Sequence, residues 1–133
     1  MSGIIDAVDA AQEIAAEVTP VPASFDHVAS ATDLKARLDW GEPALTIIDV
    51  RDRESFNEER IMGAISLPID ELTERAGETL ETERDIYVYG GSDEATAGAA
   101  TQLHTAGFER VAAIEGGLSA WKSAGGATEG RKG

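Results

Sequence analysis

The 133-residue sequence contains no cysteine. That excludes thiolate nucleophiles, disulfide bonds and cysteine-ligated metals throughout the chain. The apolar core must therefore hold the fold without a covalent or metal staple. Basic residues are also scarce: 11 Lys and Arg stand against 25 Asp and Glu, a formal net charge of −14. Such a surface repels nucleic-acid phosphate and anionic lipid headgroups, and it disfavours small anionic substrates. Solubility is the plain reading of this charge; steering toward a basic protein partner is the sharper one. No apolar run approaches the ~20 residues needed to span a bilayer. The first residues are acidic, so neither a secretory signal nor a transit peptide is expected, and a cytoplasmic location is the default.

What is present suits one small α/β domain. The length predicts a single domain, and 42% apolar residues suffice for a core. Residues 1–19 are Ala-rich and acidic, with Ile4, Val8, Ala11, Ala15 and Val18 at helical spacing. Thr19-Pro-Val-Pro-Ala23 breaks any helix there, so residues 1–23 are expected to form a flexible acidic arm and linker. A domain is expected over residues 24–126 and a Gly-rich, disordered tail over 127–133.

Within the domain, short apolar runs alternate with helical patterns. Phe25 to Val28 is a strand candidate, and Ser30 or Thr32 can cap a helix that turns Leu34 and Leu38 inward. Ala44 to Val50 is β-branched and nearly all apolar, as a strand buried on both faces should be. Arg53 to Arg60 predicts a short helix holding Phe56 inward, Ala64 to Leu67 a strand stopped by Pro68, and 69–80 a helix with Leu72, Ala76 and Leu80 on one face. Ile86 to Tyr89 and Val111 to Ile114 are further strands. An Ala-rich helix runs between them from Glu94 to Thr105, ending at Gly107. Gly116-Gly117 opens a last helix that turns Leu118 and Trp121 inward.

Alternating strands and helices imply parallel pairing by right-handed crossovers, with helices on both faces of the sheet. In such sheets the functional crevice lies past the carboxyl ends of the strands. Three segments reach that edge: Asp49-Val-Arg51, Tyr89 to Glu94, and Glu115-Gly-Gly117. The turn after Tyr89 has Gly90-Gly91 at its tip, with no side chain to do chemistry. Ser92 and Thr96 are the nearby hydroxyls, and neither has an evident base, because His27 and His104 are distant in sequence. Ser92 reads as an N-cap, and His104 as a residue on the solvent side of its helix. Asp93 and Glu94 fall in the first helical turn, where the helix dipole attracts negative charge. They are simple helix-start chemistry, or they close off an anion site or present an acidic knob to a partner. Asp49, Asp52, Glu54, Glu58 and Glu59 cluster near one edge, but their spacing does not argue for a paired-carboxylate hydrolase or a metal site. No lysine follows the glycines, which rules out a P-loop. Gly116-Gly117 reads as a close packing point for the last helix.

The same segments carry a resemblance. Ile48-Asp-Val-Arg51, Phe56, Ile61-Met-Gly-Ala64 and Leu67-Pro68 look like the first half of a rhodanese-homology domain. Asp85 to Gly90 looks like the strand leading into that family's active-site loop. Gly107-Phe108, Val111 and Gly116-Gly-Leu-Ser-Ala-Trp121 look like its closing segment. The match runs over roughly residues 30–126 and is most similar to a cysteine-free cyanobacterial subgroup. Active members resembling this pattern place a cysteine directly after the strand, in a loop of the form Cys-x-x-Gly-x-Arg-Ser. Here Gly90 stands at the cysteine position, Asp93 at the loop glycine, Ala95 at the loop arginine and Thr96 at the serine. Arg60 stands where the family has a histidine. Asp49 and Arg51 match residues that brace the loop from below.

The resemblance implies a three-layer α/β/α fold with a four- to five-stranded parallel sheet. It implies a degenerate loop, Gly90, Gly91, Ser92, Asp93, Glu94, Ala95 and Thr96, with no catalytic residue. Asp49, Arg51, Arg60, Gly116 and Gly117 would be the binding residues. The expected function is a catalytically inactive module, binding or regulating an unidentified protein partner. No cofactor, metal, nucleic acid or membrane span is expected, and a monomer is favoured. The alternatives are a thiosulfate or persulfide sulfurtransferase that depends on a partner's cysteine, and a scaffold centred on the N-terminal arm.

Overall fold

Five short parallel strands, each ending near one edge, set the architecture of the computed structural model, which describes residues 28–41 and 44–131. The expected arm, with His27 and most of the Phe25–Val28 strand candidate, lies outside the described residues. In chain order the elements are β1 (Val28–Ala29), α1 (Ala31–Asp39), β2 (Leu45–Asp49), α2 (Arg53–Glu58), β3 (Arg60–Ile61) and β4 (Ile65–Ser66). A 3₁₀ turn (Ile69–Glu71), α3 (Leu72–Thr79), β5 (Asp85–Tyr89), α4 (Asp93–Thr105), β6 (Val111–Ile114), α5 (Gly117–Ser123) and β7 (Thr128–Glu129) follow.

The main sheet has strand order β1-β6-β5-β2-β4, parallel throughout. Ile47, Tyr87 and Ala112 lie in register, as do Ile48, Val88 and Ala113. Successive side chains point to opposite faces of a strand, so the two rows serve two cores. Ile48, Val88 and Ala113 pack with Leu72 and Ala76 of α3, Leu103 of α4, and Phe108. Ile47, Tyr87 and Ala112 pack with Leu34 of α1 and Trp121 of α5. Helices thus cover both faces, and the three layers follow from near-continuous apolar strands that must be buried twice.

Local chemistry fixes the element ends. Ser30 Oγ accepts the Asp33 N–H at 3.0 Å to start α1, and the Asp52 and Ser92 side chains accept from Ser55 N–H and Ala95 N–H to start α2 and α4. Helix α4 stops at Gly107 (φ +103°), where the Phe108 N–H turns back to the Leu103 carbonyl at 3.0 Å. Both of those side chains are buried, so the backward bond comes with a hydrophobic contact. Each such burial contributes about 1.5–3 kcal/mol, more than the propensity of any one alanine in α4.

Several expectations are refined. The 53–60 helix ends at Glu58 because Arg60 enters a strand. The 69–80 helix divides into the 3₁₀ turn and α3, and the strand expected over 64–67 is paired only at Ile65–Ser66. Leu34 and Trp121 are buried as expected, whereas Leu38, Leu80, Leu118 and His104 are half-buried. The disordered tail expected from residue 127 does not hold for the described part. There β7 pairs antiparallel with β3, Met62 N–H donates to the Ala127 carbonyl, and Arg131 N–H donates to Asn57. Gly-rich composition suggested freedom, but long-range backbone pairing overrides it.

Candidate functional site

The loops after β2, β5 and β6 meet at the carboxyl edge of the sheet, and each brings one part of a cleft. From β2 comes a brace. Asp49 is fully buried, and its two oxygens accept four hydrogen bonds from Arg51: the backbone N–H at 2.9 Å, Nε at 3.0 and 3.1 Å, and Nη2 at 2.7 Å. Nη2 also donates to the Glu59 carbonyl at 2.6 Å. Burial alone would lower the Arg51 pKa; the Asp49 bonds outweigh it and hold the guanidinium above its ordinary value. The Arg51 guanidinium lies 5.6 Å from the centroid of the Tyr89 ring. Tyr89 is fully buried at the end of β5, and its hydroxyl accepts the Ile61 N–H at 3.1 Å. Burial, and then the neighbouring Asp49 carboxylate, push the phenol pKa far up, so it stays protonated.

From β5 comes the loop. Gly90 is buried, and its N–H donates to Thr96 Oγ1 at 2.7 Å. That hydroxyl donates to the Ser92 carbonyl at 2.9 Å, and Ser92 Oγ caps the helix by accepting the Ala95 N–H at 3.1 Å. Both hydroxyls are therefore committed to the backbone. His104 stands 12 residues beyond Ser92, on the order of 18 Å along the axis of α4, too far to serve either as a base. The last part comes from β6. Gly116 and Gly117 have φ of +75° and +54°, backbone that side chains disfavour. A Cβ on Gly117 would lie 3.2 Å from the Gly90 carbonyl oxygen, so the close approach of the two loops needs a glycine there.

These pieces enclose an open cleft of about 400 Å³, lined by Arg51, Gly90 to Asp93, and Gly116 to Ser119. Across it, Asp93 Oδ1 accepts the Gly116 N–H at 2.8 Å. The chain thus places its own carboxylate on a backbone donor that faces the cleft. Glu94 and Glu115 are exposed nearby. Among the described residues, the one guanidinium lining the cleft, that of Arg51, is already engaged by Asp49.

The expected site residues Asp49, Arg51, Gly90 to Thr96, Gly116 and Gly117 are brought together, with Asp49 and Thr96 acting from below. Arg60 is not. Its guanidinium packs 4.4 Å from the Phe56 ring centroid, donates to the Phe56 carbonyl at 3.1 Å, and pairs with Glu129 at 3.4 Å. The β3–β7 pairing holds it there, and it is not among the residues that line the cleft. Sequence reading placed Tyr89 at this edge without giving it a role, and it did not assign Leu118 or Ser119 to the cleft. Tyr89 lies one residue before a recognised tip, but its partner Ile61 is 28 positions away. Among the described residues, no group of three or more His, Cys, Asp or Glu side chains is placed to hold a metal, and no helix is long and apolar enough to cross a membrane.

Residues 30–124 match the family described as Rhodanese-like domain. A crystal structure of the Alr3790 protein from Anabaena sp. is 56% identical, with a TM-score of 0.75, over 77% of this chain and 91% of that one. The Synechocystis sp. protein slr1261 is 36% identical over 84 residues, which are 63% of this chain but only 46% of the relative's own length. Thiosulfate sulfurtransferase GlpE of Tolumonas auensis is 33% identical over 81 residues, 60% of this chain and 74% of that protein.

Proposed function

This chain belongs to the rhodanese-like domain family, and on that basis we propose that it is a catalytically silent member that binds a protein partner at the carboxyl edge of its sheet. One observation carries the reading: at the loop apex, where sulfur transfer needs a side-chain sulfur, stands Gly90, and the chain has no cysteine elsewhere to take its place. Asp93 supports it, because its carboxylate occupies the Gly116 N–H that an incoming anion would seek. So does Ala95, which offers no guanidinium.

In this reading the Asp49–Arg51 brace is kept for shape. It fixes the loop base rigidly, and a rigid edge loses little entropy when a partner docks. The net charge of −14 favours a monomer and a partner of opposite sign.

The test is a thiosulfate–cyanide assay on the purified chain, together with intact-mass analysis after exposure to a sulfur donor. Turnover above the buffer blank, or a covalent sulfur adduct, sinks the proposal. A second reading draws on the sulfurtransferase name of the Tolumonas relative: the chain assists transfer to or from a cysteine on another protein. Turnover that appears only when a thiol-bearing carrier protein is added would favour it.

A further inference from the structure

A second groove lies beside the loop and shares Arg51 and Gly91 with the cleft. Its volume is about 470 Å³, and its walls are mainly apolar. Val50 forms the floor at the end of β2, Ile69 one wall, and Ala95 with Gly98 of α4 the other. Ile69 is 38% exposed despite its aliphatic side chain. It is not a loose residue, because its N–H donates to the Val50 carbonyl at 3.2 Å. A Cβ placed on Gly98 would meet nothing within 4 Å, and the same holds at Gly91. Open space therefore stands over fixed apolar surface, the arrangement that accepts an aliphatic side chain.

The rim has a sign. Asp52 lines the groove, Asp70 adjoins Ile69, and Glu94 adjoins Ala95. All three are exposed, and among the described residues none is in a salt bridge. The basic groups beside them are engaged: Arg51 with Asp49, and Arg53 with Glu71 at 3.1 Å. A second copy of this chain would bring another −14 of charge to the same place, and nucleic acid or an anionic bilayer would be repelled likewise.

We propose that this groove docks a segment of a partner protein in which an aliphatic side chain is flanked by lysine or arginine. The aliphatic group fills the space over Gly98 and Ala95 against Ile69. The flanking cations meet Asp52, Asp70 and Glu94. The inference rests on the binding-module reading for why a partner comes to this edge, and it adds where the partner sits and what chemistry it carries.

The test titrates two end-capped synthetic peptides, Lys-Leu-Lys-Leu-Lys and Glu-Leu-Glu-Leu-Glu, into the ¹⁵N-labelled full chain. The lysine peptide is expected to shift the amides of Gly91, Ala95, Gly98 and Gln102, and the glutamate peptide to shift none. Gly98→Leu fills the groove from an exposed helical position and replaces a poor helix former, so melting should be unchanged or higher. Binding should weaken by about tenfold, as expected for the loss of one buried aliphatic anchor. Glu94→Lys should weaken it as well. The proposal is overturned by no binding, by equal binding of both peptides, by shifts spread over the whole acidic surface, or by unchanged binding to Gly98→Leu. A concentration-dependent dimer that Gly98→Leu abolishes would overturn it in favour of self-association. Failure on any of these counts leaves the silent-site reading standing, because the sulfur-transfer assay tests that reading separately.

Discussion

The backbone N–H of Gly90 donates to the Thr96 hydroxyl at 2.7 Å, and that hydroxyl hands its own proton to the Ser92 carbonyl at 2.9 Å. One side chain thus ties the apex of the loop to the first turn of α4 from beneath. Thr96 is 1% exposed, so water cannot replace it. Thr96→Val keeps the shape and removes the hydroxyl, leaving the Gly90 N–H buried without its acceptor. The expected loss in urea unfolding is about 1–3 kcal/mol, with Thr96→Ser recovering much of it. A valine variant as stable as the parent would mean that the loop does not depend on this bond.

Asp93 controls the other side of the cleft. Its Oδ1 accepts the Gly116 N–H at 2.8 Å from the first turn of α4. With the carboxylate removed, that N–H and the positive end of the helix become available to a solvent anion. In a sulfate titration followed by NMR, the Gly116 amide should move in Asp93→Ala and stay in place in the parent chain. Equal movement in both would show that the carboxylate does not shield the site.

The contrast between Ser92 and Arg60 shows how much of this was legible. Ser92 could be read as a cap because its partner is three residues away, within one turn. The strands at 45–49, 85–89 and 111–114 were equally readable, since β-branched apolar runs have few other stable fates. Arg60 could not be placed. Its position depends on Glu129 and a two-residue strand in a Gly-rich tail, and two residues carry no periodicity. Asp93 could be placed in the first turn of α4 from its position beside the Ser92 cap. Its reach to Gly116, 23 residues away, needed the sheet order that brings β5 and β6 side by side.

At the opposite edge of the sheet, Asp85 is shared by two guanidinium groups. Arg37 Nη2 donates to Oδ2 at 2.5 Å, and Arg110 Nε donates to Oδ1. Burial alone would push the Asp85 carboxyl up; the bonds and charges of Arg110 and Arg37 outweigh it and hold the pKa below its ordinary value. A carboxyl depressed on folding contributes stability that is fully present above its unfolded pKa, about 3.9. That contribution is lost as pH falls through the folded value. Arg37 is 3% exposed, so Asp85→Asn, which removes the shared carboxylate, should lower neutral-pH stability by about 3 kcal/mol. The gap between parent and variant should narrow in urea titrations below roughly pH 4. A gap that stays constant to acid pH would show that Asp85 is not depressed.

Restoring a thiol at the apex tests the site most directly. A Cβ on Gly90 would lie 3.1 Å from Val50 Cγ2, and 3.5 Å from both Ala95 Cβ and Thr96 Oγ1. The contact with Val50 is tight, but it is with a side chain, and Gly90 does not have a positive φ. Gly90→Cys should therefore fold with a small drop in melting temperature and present a thiol that aromatic disulfide reagents can titrate. Sulfur transfer from thiosulfate should nevertheless stay near the blank. Ala95 leaves no guanidinium to hold the donor anion, Asp93 and Glu94 repel it, and Arg51 is engaged by Asp49. Adding Ala95→Arg should raise turnover by roughly a hundredfold, the scale on which a single anion-stabilising donor acts in a transition state. Strong activity in the single variant would show that the cradle's backbone amides suffice without a cation. A titratable thiol that stays inactive even with Ala95→Arg would place the remaining defect at Asp93, whose carboxylate already holds the donor that the substrate needs.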